Sequence, residues 1–504
     1  MRAKCRTLPF LGRANTAILR GNNMQNKYVE IGYQSALMKA CWTKDIEQVR
    51  KLLAENPDSL WQVEETGDTV LHFAARRRDI AIFQLLLDRG ADVYAVNKSG
   101  ETVFHIAAAA HNYDLIKYLL DKNCFTADSL TATGEAESVE MYETKIVFNK
   151  NPHTALHIAA EKGFKDIAEL LLEHGADVNL RDGEGDTSLH YAARNFDAEM
   201  IHFLVKKGAN IDARNRANFT PAATALWNIP LKDTPDFFAA DCQKQALQRK
   251  TPDLIYRTLL KLGAKETSDV LLAAAAQSSR EECIYKSLKV VEILKELLEK
   301  HSFSADDLNM SLIAAVSESE YDSWPANTIK LLLKHGAKPV DKVEGAELNA
   351  LQISVIQEKI PCFRLLLKAG ADITVRNEKG ESLLMTAAKF QRVKILKVLH
   401  SEFGFPADEV NADGDSPLLA ALRRMYSESS LTNIVKYLLE NGAEVNRRLA
   451  ENGMTPLHLA CKLNCFKIVK ILLEYGADKD MKNYDGKTPV ELTESKTIRK
   501  LLEA

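Results

Sequence analysis

The sequence predicts an all-α solenoid of stacked antiparallel helix pairs joined by short hairpin loops, and three observations predict it. Apolar positions set beside small residues recur on a 33-residue lattice, from Leu71 to Phe104, Leu156 to Leu189 to Ala222, Leu351 to Leu384, and Leu457 to Val490. Leu418 shares the frame, Leu37 extends it one unit earlier, and Leu271 and Leu312 are degenerate members, about thirteen units in all. The best units hold a small-residue segment and then an amphipathic run, as in Thr154–Ala160 and Asp166–Leu172. Finally, Gly90, Gly175, Gly208, Gly370, Gly442 and Gly476 stand just after the second run, where a left-handed residue ends a helix.

Each element has its own reason. A Thr at the start of the first helix caps orphan N–H groups, and Pro is tolerated in the first turn. The Ala pair lets neighbouring helices approach closely, and the Leu-Leu of the second helix fills the core between units. No unit can bury its apolar face alone, so stacking must do it. The best copies read Thr154-Ala155-Leu156-His157-Ile158-Ala159-Ala160 and Thr455-Pro456-Leu457-His458-Leu459-Ala460-Cys461, with Gly175-Ala176-Asp177 opening a hairpin. This pattern strongly resembles the ankyrin-repeat family, over roughly residues 33–504. The resemblance implies an ankyrin-repeat solenoid that binds other proteins.

His72, His105, His157, His190 and His458 all occupy one slot of the motif. Five identical placements predict a repeated structural hydrogen bond rather than catalysis or metal binding. The eight cysteines are scattered, and Cys461 and Cys465, four apart, fall on a small core position and the following turn. No metal site, cofactor or disulfide framework is expected, and a reducing, cytoplasmic compartment is. A net charge of -3 gives no whole-molecule pull towards nucleic acid. No apolar run is long enough for a transmembrane segment.

The reading divides the chain into residues 1–29, a basic leader; 30–228, N-terminal repeats; 229–253, an irregular insertion; and 254–504, C-terminal repeats ending in a capping repeat. The leader carries Arg2, Lys4, Arg6, Arg13, Arg20 and Lys27. It reads as disordered, or as sequence upstream of a true start at Met24, in preference to an organellar transit peptide. The step from Phe104 to Leu156 is 52 residues, which leaves an acidic insertion near 126–150 as a solvated loop or a contact arm. The second insertion holds Pro230, Pro235 and Phe237-Phe238, and a third irregularity lies near Ser278–Ser287. Phe125, Phe303 and Phe405 open longer turns and are expected to cap the core.

In ankyrin repeats, partners lie in the concave groove lined by hairpin tips and first helices. The resemblance therefore assigns the two positions after the small pair to that groove. Among them are Trp42, Arg76, Arg77, Arg194, Trp227, Lys389, Phe390, Arg423, Arg424 and Lys462, with Tyr94, Phe219 and Tyr484 at hairpin tips. Trp and Arg dominate binding hot spots, and the bias leans towards a protein partner with an acidic or aromatic segment. Charge reversal at Arg423 and Arg424 is expected to weaken capture without unfolding the array. Asn179 and Asn446 resemble ankyrin asparagines that an oxygenase hydroxylates, although tying the hairpin is their expected main role.

The leading function is a protein–protein interaction scaffold, monomeric by itself and not an enzyme. No P-loop, G-x-S-x-G or H-E-x-x-H is present, and the insertions are too short to fold a catalytic domain. The alternative is a secreted bacterial effector that engages a host protein, in the host cytoplasm, through the same repeats.

Overall fold

The computed structural model describes residues 29–30, 35–131, 140–141, 144–145, 152–227, 252–284, 290–317, 326–340, 346, 348–423 and 428–503. Expectations for the leader, for most of the acidic insertion, for Phe237-Phe238 and for Arg424 lie outside them. Among the described residues are 25 α-helices and four strands of two residues each. Strand β1 (Val29–Glu30) pairs in parallel with β2 (Gln62–Val63), and β3 (Glu140–Met141) pairs antiparallel with β4 (Thr144–Lys145) inside the acidic insertion.

The chain forms two compact units, residues 1–270 and 271–504. The first opens with the helix pairs α1 (Ala36–Thr43) and α2 (Ile46–Glu55), then α3 (Val70–Arg76) and α4 (Ile80–Asp88). It continues with α5 (Val103–Ala109) and α6 (Tyr113–Asp121), then α7 (Ala155–Lys162) and α8 (Lys165–Glu173). The pair α9 (Ser188–Arg194) and α10 (Ala198–Lys206) precedes α11 (Pro221–Trp227) and α12 (Pro252–Lys261). First helices pack on first helices from α1 through α3, α5, α7 and α9 to α11. Their Ala pairs, such as Ala74-Ala75 and Ala159-Ala160, are fully buried, which is what close helix approach requires. The next helix, α13 (Ser268–Ile284), extends into the irregular stretch expected near Ser278–Ser287, whose residues from 285 lie outside the described ones. Ala276 is buried on it.

The second unit contains α14 (Val290–Lys300), α15 (Ala305–Ser317), α16 (Ala326–Lys334), α17 (Ala350–Ile356) and α18 (Ile360–Lys368). It continues with α19 (Leu383–Lys389), α20 (Val393–Phe403), α21 (Pro417–Leu422), α22 (Glu428–Glu440), α23 (Pro456–Lys462), α24 (Phe466–Glu474) and α25 (Lys496–Glu503). Helices α15, α17, α19, α21 and α23 form one packed series, which ends on a 3-10 turn, Pro489–Leu492. The last first helix is thus shorter than its motif suggested. The even-numbered helices α14, α16 and α18 pack in the same order, as do α20, α22 and α24, and Phe363 of α18 meets Phe403 of α20 edge-on at 5.8 Å. Phe125 caps the core as expected: it stacks on buried Phe104 with ring centroids 5.2 Å apart.

Histidine and asparagine tie one repeat to the next. In the Thr154 repeat the backbone N–H of Thr154 donates to His157 Nδ1 (3.1 Å), which leaves the proton on Nε2. That Nε2–H points at the carbonyls of Leu180 and Asp186, both at 3.2 Å. His72 reaches Glu101 O, His105 Ser129 O, His190 Phe219 O and His458 Lys487 O in the same way. Burial holds all five below the usual imidazole range, His105 to about 3 and His157 to about 4. They are neutral structural bonds, as the repetition predicts. Asn179 spans two repeats instead of tying its own hairpin: its Nδ2 donates to Gly208 O (3.2 Å) and its Oδ1 accepts from Asn210 N (2.6 Å). Asn446 does the same with Gly476 O and Asp478 N. Both ends of each candidate hydroxylation side chain are therefore engaged.

Hairpin tips also contact one another. Arg216 N donates to Glu184 O (2.8 Å), and beside that bond a Cβ on Gly185 (φ +79°) would lie 2.9 Å from Arg216 N. Only glycine combines the positive φ with that approach.

Candidate protein-binding face

The motif's groove positions fall at the C-terminal ends of first helices, and the structure gives them distinct surroundings. Trp42 is 38% exposed, lies edge-on to Phe73, and has the Arg77 guanidinium 4.6 Å from its ring centroid. No carboxylate pairs with Arg77 among the described residues, and its Nε is buried without a hydrogen bond. Trp227 is half-buried and lies tilted against Phe219, ring centroids 5.0 Å apart, so the helix end and the hairpin meet there. Phe390 is half-buried along a small cavity that Leu348 and Ile356 also line. Tyr94 is 50% exposed against Phe125, and Tyr484 is 63% exposed over Gly453.

Four of the remaining cations are already occupied. Arg76 pairs with Asp68 at 2.9 Å, Arg194 with Asp186, Lys389 with Glu381 at 2.9 Å, and Arg423 with Asp415 at 2.5 Å. In each case the acid is buried and stands eight residues earlier, just before the capping Thr or Ser. Burial pushes Asp415 up against the pull of Arg423, whereas in Glu381 the bonds from Lys389 and Asn377 outweigh burial and hold it below the usual carboxylate range. Reversal at Arg423 therefore sets a carboxylate against Asp415 and strains the fold as well as any binding, contrary to the expectation of an innocent change.

Sequence reasoning missed this pairing, although the signal lay in the aligned repeats. The residue before the cap and the residue eight on match in type: acid with cation in the four pairs above, Phe219 with Trp227, and Leu348 with Ile356. A tip asparagine of the next repeat completes two of the pairs. Asn97 Nδ2 donates to Asp68 (2.9 Å), and Asn215 Nδ2 donates to Asp186 (2.8 Å). The Thr102 and Thr455 repeats break the rule, with Glu101 opposite Ala109 and Met454 opposite the exposed Lys462.

Burial pushes the Cys41 and Cys461 thiols up to about 12, which leaves no thiolate at neutral pH. Among the described residues no group of three or more His, Cys, Asp or Glu could hold a metal ion, and no helix is long and apolar enough to cross a membrane.

Helix pairs capped, tied and stacked in this way define a helical-repeat protein of the interaction-module class. The chain belongs to the ankyrin-repeat family: the family model described as ankyrin repeats (3 copies) matches residues 37–129, 131–215, 351–448 and 384–483, more than half of the sequence. Among curated relatives, the nuclear factor NF-kappa-B p105 subunit of Gallus gallus is 32% identical over 154 residues, 30% of this chain and 15% of that one. An ankyrin repeat protein of fowlpox virus is 28% identical over 230 residues, 45% of each chain. The chain thus matches less than half of the length of either relative. The crystal structure of the ankyrin repeat domain of Bcl-3, titled a unique member of the IkappaB protein family, is 24% identical. It covers 47% of this chain and 99% of that one, with a TM-score of 0.35.

Proposed function

We propose that this protein is a scaffold or adaptor that holds segments of a partner protein against the first-helix ends and hairpin tips. The exposure of Trp42, Tyr94 and Tyr484 carries this reading, because large aromatic side chains left in water at ordered positions are the usual anchors of an interface. Arg77 beside Trp42 adds a cation without a carboxylate partner among the described residues, which favours an acidic segment. Four of the other groove cations are neutralised within the repeats, so the face selects at a few unpaired places rather than by bulk charge. The thiols of Cys41, Cys461 and Cys465, free and buried, support a reducing, cytoplasmic setting.

The test is affinity capture with the full-length chain, read by mass spectrometry, beside a variant carrying W42A and R77Q and another carrying Y484A. At least one protein held by the wild type should fall about tenfold or more in a variant whose circular dichroism is unchanged. Identical capture by all three would remove this face from the account.

A further inference from the structure

In the Thr187 repeat a carboxylate sits at the foot of the first helix and takes two donors. Asp186 accepts from Arg194, eight residues on, and its Oδ1 accepts from Asn215 Nδ2 (2.8 Å) of the following hairpin. The Thr69 repeat repeats this with Asp68, Arg76 and Asn97. In the Thr455 repeat both donors are present and the acid is missing. Lys462 occupies the cation position, exposed and with no carboxylate within ion-pair distance among the described residues. Asn483 occupies the amide position and is 5% exposed, and its Nδ2 is buried without a hydrogen-bond partner.

The amide is aimed as its counterparts are. Asn483 Oδ1 accepts from Asp485 N (3.0 Å) and Lys487 N (2.8 Å), just as Asn97 Oδ1 accepts from Ser99 N and Glu101 N, both at 3.0 Å. A planar amide whose oxygen is fixed by the same two donors sends its NH2 the same way. Met454 takes the backbone place of Asp186: its carbonyl accepts from Leu449 N (2.9 Å), as that of Asp186 does from Asp182 N (2.9 Å). Its half-buried thioether turns on three bonds and can move aside, whereas a buried amide with no acceptor is costly to keep.

We propose that Lys462 and Asn483 form a receptor for a carboxylate from outside the repeat, an Asp or Glu side chain of a bound protein segment. Lys462 draws it in by charge, Asn483 Nδ2 gives it a directed hydrogen bond, and Met454 keeps the place covered until then. The site rests on the module reading above and supplies that reading with a specific acidic contact.

The probe is acetyl-Asp-amide, with acetyl-Asn-amide as its uncharged isostere. Each is titrated into the full-length protein at constant ionic strength while the Asn483 side-chain amide, assigned by its loss in N483A, is followed by NMR. The acid should move that signal saturably, at an affinity at least tenfold above that of the isostere. M454A, which opens the place, should tighten the response, and K462M should weaken it at least fivefold. M454D supplies the acid internally and should leave the signal already shifted and silent to the probe. An equal response to both probes, no response in M454A, or an undiminished response in M454D or K462M overturns the site. If that happens while W42A and R77Q still abolish capture, the carboxylate receptor falls and the module reading stands.

Discussion

In the Thr154 repeat the cap is completed by His157 three residues on, while in the Thr220 repeat Ala223 stands in that place and the acceptor comes from Asp269. The Thr220 N–H and hydroxyl both donate to one Asp269 oxygen, at 2.9 and 2.8 Å, across 49 residues of chain. A similar exchange occurs at Ser382, where Met385 replaces the histidine and the Ser382 hydroxyl donates to Glu409 of the next turn. Both arrangements satisfy a buried helix start and tie it to the following repeat. They differ in how they answer acid. The histidines are held below their ordinary range by burial. In Asp269, burial would raise the carboxyl, but bonds from Thr267 and Thr220 and the charge of Arg214 outweigh it and hold it low. The Thr220 repeat, without its histidine, keeps its tie by recruiting a distant acid, and that tie is more tolerant of low pH.

The comparison can be broken at either end. His157→Ala strips the acceptor from Thr154 N–H and the tie to two carbonyls, and should destabilise its unit by about 3 kcal/mol in urea unfolding. His157→Gln should recover about half of that loss, because Gln352 already fills the same role for Asn349 N (3.0 Å) without reaching a further carbonyl. A full recovery would show that the Nε2 bond contributes nothing. Next in size, Asp269→Ala should cost about 2 kcal/mol and Asp269→Asn about half as much, since one acceptor oxygen survives. If Asp269→Ala is silent, the carboxylate is not the substitute for histidine. At the hairpins, Gly185→Ala meets both a positive φ and Arg216 N and should cost about 2 kcal/mol, against about 1 kcal/mol for Gly175→Ala, which has open space around its Cβ. Equal costs would show that the contact between tips is slack.

Much of this was legible beforehand. The 33-residue lattice, the capping threonines and the slot shared by five histidines follow from local chemistry repeated at a fixed spacing, and the helices fall where that chemistry puts them. The groove residues were read less well. Arg76, Arg194, Lys389 and Arg423 look free in a helix-by-helix reading, because the acids that hold them lie in the preceding hairpin. Asp269 was invisible as a cap because its partner lies on the far side of an insertion. The final first helix is a 3-10 turn, Pro489–Leu492, although its Thr488-Pro489 start reads like that of the other repeats. Comparing columns of aligned repeats, rather than residues within one repeat, would have exposed both the matched pairs and the odd Met454.

Proton binding at the five motif histidines tests the central claim most directly. Their folded pKa values lie below the ordinary 6.5, so the unfolded chain takes up more protons beneath that pH. Stability is fully present above about pH 6.5 and falls as acid is added, by up to about 1.4 kcal/mol per histidine for each pH unit. Nitrogen-15 NMR of the imidazoles should show the Nε2–H tautomer at His72, His105, His157, His190 and His458 at pH 7, with His105 protonating only near pH 3 and His157 near pH 4 in the folded protein and the other three below their ordinary value. A motif histidine that titrates near its ordinary value while the chain stays folded would contradict the account.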